Sequence, residues 1–82
     1  MRIEWTHDKP NEGYCGLVRV KIWEAIPKVS WKASAEALEQ IPGTLFLRPS
    51  GRVLSEMHAT EEQVRAAAVM LCARLMADEV AA

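Results

Sequence analysis

Few residues in this chain have both the type and the spacing that chemistry needs. His7 and Asp8 are adjacent, and Glu56 and His58 lie two apart. A histidine beside a carboxylate is the pairing a general base or a metal ligand uses. The first pair falls in a loop and the second at a helix entrance, and no nucleophile motif joins either. His7, His58 and Cys15 lack the spacing of a zinc ligand set. Ser50-Gly51 reads as turn chemistry, not as a phosphate loop. The two pairs therefore read as solvated loop and cap residues. The expectation is a protein that is not an enzyme and that carries no cofactor and no metal site.

Recognition is the other chemistry the residues offer. In Tyr14–Ala25 (YCGLVRVKIWEA), Val18, Val20 and Ile22 fall on one side of an alternating strand, and Leu17, Arg19, Lys21 and Trp23 on the other. Interleaved cations and an aromatic, extended by Lys28, Trp31 and Lys32, can neutralise phosphate and stack bases. They also suit a protein interface, where Trp and Arg are enriched at hot spots. The net charge of −1 gives no global attraction to nucleic acid, although residues 1–32 carry a balance of +2 and residues 33–82 one of −3. Trp5, Trp23 and Trp31 exceed what so small a core buries easily, so at least one is expected to be partly exposed.

These side chains need elements to hold them. Thr60–Met76 (TEEQVRAAAVMLCARLM) is the clearest helix. Thr60 and Gln63 fit a capping box, and Glu61 and Glu62 suit the positive end of the helix dipole. Val64, Ala68, Leu71 and Leu75 form a core-facing seam with Ala67 beside it. Ala66, Val69, Ala73 and Met76 form a second stripe nearly opposite, and no charge lies between Arg65 and Arg74. An 82-residue chain has little core with which to bury a helix on two sides. The second stripe therefore predicts contact with another protein or a second copy.

The remaining elements follow from alternation and turn residues. Arg2–Thr6 reads as a short strand and His7–Gly13 as a loop. Pro27 ends the strand that begins at Tyr14. Ser34 reads as the cap of a short helix over Ala35–Gln40, stopped by Pro42-Gly43; with Ser30 as the cap, Trp31, Ala35 and Leu38 would share its face. Thr44–Arg48 and Arg52–Met57 read as two strands about a tight turn at Pro49-Ser50-Gly51, with Leu45, Phe46 and Leu47 in a central strand. The order predicted is β-β-α-β-β-α. It implies one domain over residues 1–82, an α+β two-layer sandwich with a four-stranded, mainly antiparallel sheet and two helices on one face.

With no signal peptide and no run of about 20 apolar residues, the reading is a cytoplasmic protein with no membrane contact. Cys15 and Cys72 are then free thiols rather than a disulfide, with Cys72 a small core residue.

The tail ATEEQVRAAAVMLCARL, following a hairpin, resembles the closing β-β-α of a double-stranded-RNA-binding domain. That family sets lysines at the start of its final helix to grip phosphate. Glu61, Glu62 and Gln63 stand there in this chain and would repel it, so the resemblance extends to local architecture and not to the activity. In kind rather than in motif, the chain is similar to small phage-encoded inhibitors, anti-CRISPR proteins among them, which are short, single-domain and free of catalytic signatures.

The function expected is a small non-catalytic protein-binding domain, acting as an inhibitor that occludes a surface of a larger complex, or as an adaptor. Its surfaces would be Val69, Ala73 and Met76 on the helix and Arg19, Lys21 and Trp23 on the strand. Its partner would be another protein or a second copy in a homodimer. The alternative is a nucleic-acid-binding module using the basic, aromatic strand face.

Overall fold

A computed structural model describes the backbone of residues 2–81 and the side chains of residues 2–77. Five strands, β1 (Glu4–Trp5), β2 (Glu12–Cys15), β3 (Val18–Ile26), β4 (Ser30–Gln40) and β5 (Leu47–His58), precede one helix, α1 (Glu61–Ala81). Each strand pairs antiparallel with the next, so sheet order equals chain order. The α+β class stands, but the sheet has five strands instead of four, and one helix covers it instead of two.

The correction begins at Ala35–Gln40, which is strand. Trp31, Ala33, Ala35 and Ala37 share one face of β4, and Lys32, Ser34 and Glu36 share the other. That is a period of two in which alanine plays the apolar part. Alanine's helix preference is a fraction of a kcal/mol per residue, and pairing on both sides of a central strand outweighs it. Ala33, Ala35 and Ala37 are all fully buried.

The second correction concerns Pro49-Ser50-Gly51. No turn forms there. The chain reverses earlier, over residues 41–46, and β5 runs unbroken from Leu47 to His58. Glu36 pairs with Val53 and Leu38 with Pro49, so β5 spends two more residues than β4 across this interval. The excess is a bulge, which takes up a proline with no N–H to donate and Gly51 at a φ of 91°. Beyond it, Leu38–Gln40 and Leu47–Pro49 continue as a two-stranded arm. Leu45, Phe46 and Leu47 are at its end, exposed by 93%, 73% and 47%, and not in a central strand.

The strand expected from Tyr14 to Ala25 is likewise two strands, with Gly16-Leu17 as the turn between Cys15 and Val18. The β3–β4 reversal is a type II turn. Val29 N–H donates to the Ile26 carbonyl at 2.9 Å across Pro27 and Lys28, and Lys28 holds the positive φ of 61°.

Helix α1 packs across β3, β4 and β5. The Thr60 hydroxyl accepts from Gln63 N–H at 3.1 Å, half of the capping box the sequence encodes. Val64, Ala68, Leu71, Cys72 and Leu75 close over Val18, Val20, Ile22 and the β4 alanines to form the core, with Ile3 at its margin.

Burial pushes the Cys72 thiol up from 9.0 to about 11, with nearby Cys15 adding to the shift. In the unfolded chain the thiol ionises near its ordinary value, so above pH 9 deprotonation favours unfolding. Stability should be unaffected by this group below pH 9 and fall between pH 9 and about 11. Urea titrations of wild type and Cys72→Val at several pH values check this. The difference between the two should change only in that window.

Candidate functional site

The helix covers one face of the sheet; among the described residues, no element covers the other. On that bare face the register sets out rows of side chains. Glu4, Tyr14, Arg19, Glu36 and Val53 form one row, Glu12, Lys21, Ser34 and Ser55 a second, and Trp23, Lys32 and Met57 a third. Alternation had placed Arg19, Lys21 and Trp23 opposite the valine face, and they stand there side by side. Trp23 and Lys21 are exposed and Arg19 is half-buried.

Two of the charges on this face pair with each other. Arg19 Nη2 donates to Glu36 Oε2 at 3.0 Å, and that hydrogen bond holds the guanidinium's pKa above its ordinary value. Tyr14 lies beside this pair and its hydroxyl is 3.4 Å from Glu12 Oε1. Lys32 Nζ stands 5.8 Å from the centroid of the Trp23 ring, a cation–π contact. Tyr14, Trp23, Val53 and Met57 are between 37% and 53% exposed, which puts an apolar component in every part of the face except its middle row. At the β3 margin, Lys9, Pro10, Asn11, Glu12, Lys21, Ile22 and Trp23 line a hollow of about 390 Å³. Trp5 and Trp31 are half-buried on the helix side and pack against the core, so Trp23 is the exposed tryptophan.

The helix stripe lies elsewhere than expected. Val69 and Met76 pack against the core cluster, and Ala73 is half-buried. They flank the buried seam instead of opposing it. The outward line is Ala66, Met70 and Ala77, with Met70 61% exposed. The reason is the width of the seam. Ala67 and Cys72 are buried together with Val64, Ala68, Leu71 and Leu75, and so broad a contact brings the flanks down onto the sheet.

Of the two catalytic-type pairs, the structure joins one. His58 Nε2 is 3.0 Å from Glu56 Oε1, both half-buried. They line a second hollow of about 380 Å³ with Gln63, Ala66, Ala67 and Met70. That lining supplies a base and an amide but no hydroxyl or thiol nucleophile. His7 and Asp8 are exposed in the β1–β2 loop. Among the described residues, no three His, Cys, Asp or Glu side chains gather as a metal set, and no helix is long and apolar enough to cross a membrane.

What the sequence reading missed is the exposed apolar arm and the long free edge of β5. The signal for the arm was present in IPGTLFL, a charge-free stretch between Gln40 and Arg48. No protein-family profile matches this chain, and no characterised protein or solved structure does so either.

Proposed function

We propose that this chain is a small non-catalytic protein-binding domain whose binding surface is the bare sheet face, acting by masking part of a larger partner. The observation that carries this reading is the face itself. An ordinary two-layer fold leaves polar side chains on its solvent side. This one sets Tyr14 and Val53 on either side of the Arg19–Glu36 pair, and Trp23 and Met57 in the row beyond the polar middle one. Half-exposed aromatic and apolar side chains beside a paired arginine are the residue types enriched where proteins bind one another.

The test is site-specific photo-cross-linking in cells, with a benzophenone side chain at Ser34 in the interior of the face or at Glu62 on the exposed side of the helix. The reading expects a discrete protein adduct from position 34, none from position 62, and loss of the adduct when Trp23→Ala and Met57→Ala are added. Equal adducts from both positions, or an adduct indifferent to Trp23 and Met57, would sink it.

A second reading has one observation behind it. Lys9, Lys21 and Lys32 surround Trp23, an arrangement that could hold a single-stranded phosphate backbone with one stacked base. Against it, Arg19 is already paired, Glu4 and Glu12 share the face, and the net charge is −1. A gel shift at low salt that vanishes with Lys21→Ala would favour this reading, and no shift at low salt would remove it.

A further inference from the structure

Three sulfur-bearing side chains meet where the end of β2 touches α1. Cys15 Sγ lies 3.9 Å from Met76 Sδ. Cys72 precedes Met76 by four residues, so the helix sets both side chains on one face, one turn apart. Cys72 is fully buried in the core cluster, and half-buried Cys15 and Met76 pack against that same cluster. The two thiols are near enough for the charge on one to act on the other. The sheet holds Cys15 in this place by pairing it with Val18, which shares the core with Cys72.

We propose that Cys15, Cys72 and Met76 form a binding site for a soft monovalent metal ion, Cu(I). Thiolate and thioether sulfurs are the donors that select this ion over hard cations. With only two ionisable ligands the set does not suit zinc, whose structural sites take four, and among the described residues no third His, Cys, Asp or Glu joins them. Cu(I) is satisfied by a trigonal set of sulfurs. At a metal–sulfur distance of about 2.3 Å, a trigonal ion sets its ligand sulfurs about 4 Å apart. The Cys15–Met76 separation of 3.9 Å is one edge of that triangle.

Binding exchanges two S–H bonds for two Cu–S bonds and adds the thioether as third donor. Two protons leave and no electron moves. Both cysteines are free thiols, as the exchange requires. Half-buried Cys15 and Met76 give the ion its way in from solvent, and buried Cys72 forms the floor of the site. Cys15 and Met76 are 61 residues apart in the chain. Only the folded chain brings them together, so the ion should stabilise the fold as it binds. The site lies on the helix side of the sheet and does not depend on what the bare face binds.

The test is an oxygen-free titration of the reduced full chain with Cu(I), using bicinchoninate as the competing chelator. Wild type should take one ion per molecule from the chelator. X-ray absorption at the copper edge should then show sulfur neighbours alone, at about 2.3 Å. Met76→Leu keeps the side chain's volume, and Cys15→Ser keeps its size while hardening the donor. Each should weaken Cu(I) binding by roughly 10–100-fold. Cys72→Ala should do the same, and if it fails to fold, the other two variants carry the test. Cu(I) should also raise the urea midpoint of wild type and leave that of Cys15→Ser in place. A chelator that keeps its copper in the presence of wild type overturns the proposal. So does an affinity indifferent to Met76→Leu, which would reduce the site to ordinary thiols, and so do nitrogen or oxygen neighbours in the absorption spectrum.

Discussion

Leu71→Ala should lower the free energy of unfolding by about 3 kcal/mol. Leu71 is fully buried at the middle of the helix seam, in one cluster with Ala33, Ala35 and Ala37 from β4 and Ala68 and Leu75 from α1. The price of a large-to-small change depends on whether neighbours can move into the space. Four members of that cluster are alanines, whose methyl groups have no torsion with which to follow, and three of them are on a central strand pinned from both sides. The cavity should therefore stay open, and the cost should lie in the middle of the usual range or above. A domain of this size has roughly 4–12 kcal/mol of stability in all. The loss would be visible as a large drop in the urea midpoint with an unchanged slope. A loss below about 1 kcal/mol would mean that the helix does not seat Leu71 on the β4 alanines.

Those alanines also mark where the sequence stopped being legible. In β3 the alternation of valine and isoleucine with arginine, lysine and tryptophan named both faces, and Val18, Val20 and Ile22 are buried as it requires. Thr60 with Gln63 named the start of α1, and the hydrogen bond between them forms. In β4 the same alternation is written in alanine, a residue whose local preference is for helix, and pairing to β3 and β5 decides the matter. Pro49-Ser50-Gly51 has the composition of a tight turn, yet these residues serve as a bulge because the chain has already reversed six residues earlier. Arg19, Lys21 and Trp23 were legible as one face from the period of two alone. Tyr14, Val53 and Met57 were not, since they join that face only through the register of β2 and β5. The helix flank at Val69 and Met76 could not be placed by spacing, because how far a stripe rolls onto a sheet depends on the size of the side chains beneath it. Small alanines let this helix settle low.

Gly13→Ala should detach the first strand. A methyl group at Gly13 would lie 2.8 Å from Ile3 Cγ2, 2.9 Å from the Glu4 carbonyl oxygen and 3.0 Å from Trp5 Cε3. The isoleucine methyl can shift, but the Glu4 oxygen belongs to backbone paired with Tyr14, so β1 as a whole must give way. Trp5 is held from its other side by Arg65, whose guanidinium stands 4.7 Å from the ring centroid and also donates to Asn11 Oδ1 at 3.1 Å. The indole has little room to retreat, and the expected cost is about 1–3 kcal/mol. The Trp5 indole N–H resonance should move toward its random-coil position while those of Trp23 and Trp31 stay in place. An unmoved Trp5 resonance would mean that β1 tolerates the methyl where it stands.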